Sequence, residues 1–241
     1  MKKIVEVNCS NFGSTGNIML NIANVAESQG MSVFNCFPRS RDNLRRQVKN
    51  QIIIGNRVSR NIHLFLSSIT GLNGAFSVMS TFAFITKLHT IKPDIIHLHN
   101  LHNSYINLPI LFCYIKKSNV RVIWTLHDCW PFTGKCAYFT YNHCDKWKVG
   151  CDHCEFLSAY PPARVDRTRK MWKLKKKWFT GVQDLTIVTP SHWLAGLVKQ
   201  SFLKEYPVLV FNNGIDLGIF KPTSSDFREK CGVVEKESSL T

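Results

Sequence analysis

A short run of apolar, largely β-branched residues that stops abruptly on a polar pair constrains this chain more than any other feature. In residues 121–136, R-V-I-W-T-L-H-D-C-W-P-F-T-G-K-C, the strand-like run 122–126 ends on His127 and Asp128 and enters an aromatic loop. A strand without polar alternation is buried on both faces, as in parallel sheets covered by helices. Its polar stop marks the carboxyl end, the edge at which open α/β sheets bind ligands. His127 is therefore the expected centre of an active site, with Asp128 beside it.

The same unit recurs along the chain. Strand patterns at 3–7, 32–36, 51–55, 95–98, 185–189 and 208–211 alternate with helical ones. The first helix is read through Ile18, Ile22, Val25 and Ala26. Residues 61–88 read as helical with a break near Gly71 and Gly74, and 107–117 as one more helix. The alternation predicts an α/β fold, a Rossmann-like doubly wound parallel sheet.

The length of 241 residues and 44% hydrophobic content suffice for one large α/β domain or two small ones. A net charge of +15 favours an acidic partner: nucleic acid, an anionic lipid surface or a phosphorylated substrate. Plain solubility explains it equally well. Glu6 and Asn8 interrupt the N-terminus too early for a signal peptide, and Asn73 with its glycines spoils residues 62–85 as a membrane span. A cytoplasmic protein is expected, so its nine cysteines read as thiols or metal ligands rather than disulfides.

Several motifs carry possible chemistry. After the first strand, residues 8–17 form a small-residue loop containing Gly13, Ser14, Thr15 and Gly16. Strand, loop and helix can cradle a phosphate, and a tight structural turn reads the same way. Residues 38–49 carry four arginines and read as an exposed loop. At the end of the 95–98 strand His99 and Asn100 read as a polar binding rim, and His97 as a core histidine or part of that rim. A metal there lacks both zinc spacing and a nearby carboxylate in sequence. Cys136, Cys144, Cys151 and Cys154 are spaced C-x7-C-x6-C-x2-C across the long loop 134–160. Structural zinc and unligated thiols both fit that spacing. Residues 164–177 carry eight basic side chains with aromatics interleaved. Met171, Leu174 and Trp178 share one helical face. That helix suits an anionic membrane surface, or packs its aromatics on the sheet while the lysines face water.

Four blocks of sequence resemble a known family. They are residues 12–16, residues 92–100 (K-P-D-I-I-H-L-H-N), residues 124–134 (W-T-L-H-D-C-W-P-F-T-G) and residues 190–194. The last is followed by Asn212-Asn213-Gly214-Ile215-Asp216 and Phe220-Lys221-Pro222. Together they resemble the N-terminal domain of family-four GT-B glycosyltransferases, particularly bacterial enzymes that build cell-surface polysaccharides such as colanic acid or O-antigen lipopolysaccharide. The likeness runs from about residue 1 to 232. It implies transfer of a sugar from a nucleotide-sugar, with retention, to a growing or lipid-linked glycan. His127 would lie beside the donor sugar, and residues 13–16 would close over the donor phosphates. His99, Asn100 and Asn213 would contact substrate. No catalytic cofactor is implied.

The same resemblance implies a second Rossmann-like domain that binds most of the donor. Here residues 1–216 would be the acceptor-side domain and 217–241 a hinge and the truncated start of the donor domain. Only 19 residues follow Pro222, so the chain is expected to be inactive alone. Two other classes compete. A non-catalytic protein holding acceptor at a membrane surface needs no second domain. A nucleic-acid-binding module would use the charge but has no need of the His127 cluster, so no nucleic-acid partner is expected.

Overall fold

A computed structural model describes residues 1–232 of the chain. Seven strands form one sheet: β1 (Lys3–Val7), β2 (Ser32–Pro38), β3 (Gln51–Ile54), β4 (Ile95–Leu98), β5 (Arg121–Thr125), β6 (Leu185–Thr189) and β7 (Val208–Val210). Their order is β3-β2-β1-β4-β5-β6-β7, and every pairing is parallel. The order reverses direction between β1 and β4. The crossover loops diverge there and leave a crevice at the carboxyl edge, the place where doubly wound sheets take ligands.

The helices are α1 (Gly13–Ser28), α2 (Arg41–Arg45), α3 (Arg57–Thr70), α4 (Val78–Ile91), α5 (Leu108–Lys117), α6 (Thr168–Phe179), α7 (His192–Gln200) and α8 (Phe227–Lys230). The main core holds Val5, Val7, Ile96, Leu98, Val122 and Trp124 of the central strands. Phe112 of α5 and Phe179 of α6 close on Trp124, with ring centroids 5.6 Å and 4.9 Å from it. The opposite face begins with Ile4 and Val33 against Ala23 of α1. Both faces are covered, which is why the strands read as continuous apolar runs.

Three sequence expectations need correction. The buried face of α1 is Gly16, Met19, Leu20 and Ala23, not the row through Ile22 and Val25, which are 37% and 63% exposed. Close approach decides the face. A Cβ on Gly16 would stand 2.6 Å from the Asn11 carbonyl carbon, so the helix rolls its smallest residues against the loop. Next, 38–49 is not a plain exposed loop. It contains α2, capped by Ser40, and a buried Asn43 whose Oδ1 accepts from Asn11 N at 3.1 Å. Asn11 Nδ2 returns a bond to Asn43 O at 2.9 Å, so the two segments clamp each other.

The third correction concerns α6. It starts at Thr168, where Asp166 accepts from the Thr168 backbone and hydroxyl, and not at Arg164. Met171, Trp172, Trp178 and Phe179 are buried, so its aromatics pack on the domain. Lys175 is buried as well. It lies one turn beyond Met171 and one before Trp178, on the inward face. The membrane reading of this helix is left with exposed Lys170, Lys173, Lys176 and Lys177 and no apolar face.

Beyond β7 the chain is exposed and irregular up to α8. The proposed hinge and donor-domain start at 217–241 thus contributes one short helix, and residues 233–241 lie outside the described residues. Among the described residues no helix is long and apolar enough to cross a membrane.

Candidate active site

Strand register assembles the site. Glu6 of β1 stands opposite His97 of β4, and His97 opposite Ile123 of β5. Side chains two residues apart share a sheet face. Glu6, His97, His99, Thr125 and His127 therefore collect on the α1 face, at the carboxyl edge beside the switch point. This polar layer continues the face that begins with Ile4 and Val33.

The layer is a directed hydrogen-bond chain. Glu6 is fully buried, and its carboxylate accepts from His97 Nδ1 at 3.1 Å and from His99 Nε2 at 2.9 Å. Burial alone would raise the Glu6 carboxyl. Attraction to His97 and the two ring hydrogen bonds outweigh it and hold the group at about 2. Being acceptor-only, the carboxylate requires an N–H on His99 Nε2. The neutral ring then offers a lone pair at Nδ1, which faces His127 Nε2 at 3.1 Å. His127 must donate there, so its own lone pair resides on Nδ1. That atom has no partner among the described residues and is not sealed from solvent.

Both rings are held neutral. Burial, and secondly the neighbouring His97, push His99 down to about 4 against the pull of Glu6. Burial, and secondly His99, push His127 down to about 3. A ring so reluctant to protonate is a poor general base at neutral pH. It is a fixed acceptor, suited to orienting a hydroxyl.

Asp128 points away from this chain. It is buried, accepts from Trp130 N at 2.9 Å and pairs with His102 Nε2 at 3.0 Å. Its role is to shape the aromatic turn Trp130–Phe132. Lys175 finishes that turn from below, donating to Trp130 O at 2.7 Å and Thr133 O at 3.1 Å, with its ammonium 3.5 Å from the Trp130 ring centroid. Burial pushes this lysine down to about 7, opposed by nearby Cys151 and Asp128.

Residues 13–16 do two jobs. Gly13 adopts φ +68° with open space around it, while Gly16 is the contact that seats α1. The helix has no side-chain cap and no acid in its first turn, so its leading N–H groups remain available to an anion. Thr15 Oγ1 is 3.5 Å from Asn8 Nδ2, whose Oδ1 accepts from Asn100 N at 3.3 Å. Ser14 is exposed.

Two cavities border the edge. One of about 230 Å³ lies between α3 and the aromatic turn, against His102, Trp130 and Tyr160. A basin of about 940 Å³ lies beside the 8–16 loop, lined by Arg39, Arg41, Arg57 and Arg60. His127 lines neither of them and stands between β4 and β5 at the crevice.

The predicted rim is only partly a rim. His99 is 1% exposed and acts through His127, because its ring is claimed on both sides. Asn100 is half-buried at the crevice and engages through its backbone. Asn213 is exposed in the irregular segment after β7 and makes no side-chain hydrogen bond to the Glu6–His99–His127 chain. The missed residue is Glu6. The absence of a carboxylate near His97 and His99 held for sequence distance and failed in space. Glu6, His97 and His99 are, among the described residues, the one group of His, Cys, Asp and Glu whose ligand atoms all fall within 4.8 Å. Both rings already donate to the carboxylate, so the group is satisfied without an ion.

The four cysteines of the long loop come into one neighbourhood. The Cys136 and Cys154 thiols are in hydrogen-bonding contact, Cys151 lies beside them, and Cys151 Sγ accepts from Gly134 N at 3.1 Å. Buried Lys135 and Lys175 flank them. All nine cysteines are free thiols. The loop has no strand and only 3₁₀ turns such as Thr140–Asn142 and Lys146–Lys148.

Comparison with known proteins adds two findings. A family model described as Glycosyltransferase Family 4 matches residues 15–218. Over 164 residues the chain is 33% identical to a protein named as a colanic acid biosynthesis glycosyl transferase, WcaC, of Escherichia coli (strain K12). The match takes in 65% of this chain and spans 39% of that relative's length.

Proposed function

The chain belongs to glycosyltransferase family 4, and we propose that it is the acceptor-side half of a GT-B enzyme of polysaccharide biosynthesis. The reaction would move a sugar from a nucleotide-sugar, with retention, to a glycan carried on a lipid. It would take place in the cytoplasm, at the inner membrane face. The observation that carries this reading is the Glu6–His99–His127 chain, which ends in an open acceptor nitrogen at the switch point.

The chemistry asks for what these residues provide. Cleaving a sugar–phosphate bond builds negative charge on the departing diphosphate, and fixed N–H donors stabilise it without reorganisation. The uncapped first turn of α1, entered through Gly13, offers such donors. His127 Nδ1 accepts a hydroxyl of the sugar and fixes the ring over the bond to be broken. Orientation of this kind contributes through proximity, not through proton transfer. Asp128 and Lys175 hold the aromatic wall of the crevice.

Two parts of the reading lie outside this crevice. A donor-binding second domain would cover the exposed apolar side chains Phe211, Ile215, Leu217, Ile219 and Phe220. A structural zinc on Cys136, Cys144, Cys151 and Cys154 would give the long loop a staple. Zinc with four thiolates carries two negative charges, matched by the ammoniums of Lys135 and Lys175. Metal analysis of protein purified under reducing conditions tests it, and less than half an equivalent of zinc sinks it.

The activity test is incorporation of labelled sugar from nucleotide-sugars into membrane lipid extract by wild type and His127→Ala, each supplied with a donor-binding second domain. Transfer by the wild type with a loss of about 100-fold in the variant is expected. Equal transfer by both would overturn the assignment of His127.

A further inference from the structure

Helix α3 is built inside out. Its packed side is polar: His63 and Ser67 are buried, and His63 Nδ1 lies 2.8 Å from Ser77 Oγ. Its solvent side is an apolar stripe at helical spacing, Val58, Ile62, Phe65 and Ile69, with exposures of 66%, 53%, 63% and 40%. The first turn of α4, tied to α3 by the 2.8 Å bond from Ser80 to Ser59, adds exposed Val78, Met79 and Phe82. Large apolar patches of this kind mark interaction surfaces.

Charge identifies what covers it. Beside the stripe lies the arginine basin, contributed by Arg39 after β2, by Arg41 at the start of α2 and by α3 itself (Arg57, Arg60). Among the described residues none of the four has a carboxylate partner within 4.0 Å. The one acid in the basin, Asp42, is engaged by Arg45 at 3.5 Å. Arg60 Nε is buried and unpaired. A second copy of the chain would bring like charges together across this face, whereas an anionic bilayer supplies both a phosphate layer for the arginines and a hydrocarbon edge for the stripe.

We propose that the apolar stripe of α3, extended by the first turn of α4 and flanked by Arg39, Arg41, Arg57 and Arg60, is the surface by which this protein docks on an anionic lipid bilayer. The proposal deepens the reading above, resting on it only for the lipid-linked acceptor that docking would bring to the crevice. The basin shares Ser10 and Phe12 with the loop entering α1, so a docked membrane places lipid phosphates next to the donor site.

Vesicle co-sedimentation with the full chain tests the surface without any sugar transfer. Vesicles of phosphatidylcholine, with and without phosphatidylglycerol, are compared for wild type, Ile62→Ser/Phe65→Ser, Arg57→Gln/Arg60→Gln, and a control, Lys170→Gln/Lys173→Gln/Lys177→Gln, on α6. Binding to the anionic vesicles is expected to fall about tenfold or more in the α3 apolar pair. It should fall about fivefold per arginine removed, as one charge near an anionic surface contributes. The α6 control should retain at least half of its binding. Circular dichroism melts verify that each variant is folded; Arg57, Ile62, Phe65 and the three lysines are exposed, and Arg60 alone is half-buried. The proposal fails if the α3 variants bind as wild type, if the α6 control loses binding instead, or if gel filtration shows a dimer that Ile62→Ser/Phe65→Ser dissolves. With a donor-binding second domain supplied, docking lost with soluble-acceptor transfer intact, and the reverse, separate this proposal from the enzymatic one.

Discussion

Acidification should unfold this protein well before its carboxylates titrate, because two buried imidazoles and the half-buried His127 refuse protons. Burial holds His63 at about 4, His99 at about 4 and His127 at about 3. In the unfolded chain each titrates near 6.5. A base with a lowered folded value leaves the unfolded state binding more protons, so stability falls as pH drops from the unfolded value toward the folded one. Between about pH 7 and pH 5 each ring costs about 2 kcal/mol, and the three together about 6 kcal/mol. Glu6 has the opposite timing. Its folded value of about 2 lies below the unfolded one near 4.5, so the stability it gives is complete above that value and lost only beneath it. Lys175, at about 7 in the folded state and near 10.5 unfolded, exerts its effect on stability mostly above this window. A loss of about 6 kcal/mol is comparable with the whole stability of a typical domain. Urea unfolding followed by tryptophan fluorescence at several pH values measures it directly. His99→Gln should recover about a third of the slope. A stability that changes by less than about 1 kcal/mol over this window would refute the neutral, desolvated rings and the hydrogen-bond chain deduced from them.

Further outcomes follow from other contacts. Nitrogen-15 NMR at neutral pH should show His127 protonated at Nε2 and bare at Nδ1; the reverse tautomer would break the relay from Glu6. Lys175→Ala leaves the Trp130 and Thr133 carbonyls unpaired around a cavity and should cost about 3 kcal/mol in urea unfolding. Gly16→Ala meets the Asn11 backbone at 2.6 Å and should cost about 2 kcal/mol or more, while Gly13→Ala, strained only by its φ of +68°, should cost about 1 kcal/mol. Equal effects of the two glycine substitutions would contradict the separate roles assigned to them.

What the sequence reveals is whatever switches character over a few residues. The ends of β4 and β5 are legible because an apolar run turns into His-x-His or His-Asp, and so the parallel sheet and its active edge could be read in advance. Glu6 was illegible because its neighbours His97 and His99 lie 91 and 93 positions away and are set by strand register. The buried face of α1 was misread because hydrophobic weight points to Ile22 and Val25, whereas close packing at Gly16 decides the roll. Lys175 was misread because a lysine among lysines looks solvated until the carbonyls it serves are in place. On α3 the apolar pattern was visible, but its outward direction was not, since periodicity reports that two faces differ and not which one is covered.

The pairing of Glu6 with two imidazoles also limits how such a chain can vary. One carboxylate satisfies donors from two rings, and Thr125 answers the far side of His97 at 2.8 Å. Changing any one member strands a buried polar group on another, so the penalties of single changes at 6, 97, 99 and 125 do not add. These four positions, scattered over three strands, form one heritable unit: a lineage can keep the set or exchange it wholesale, but intermediates with half of it should be unstable before they are inactive.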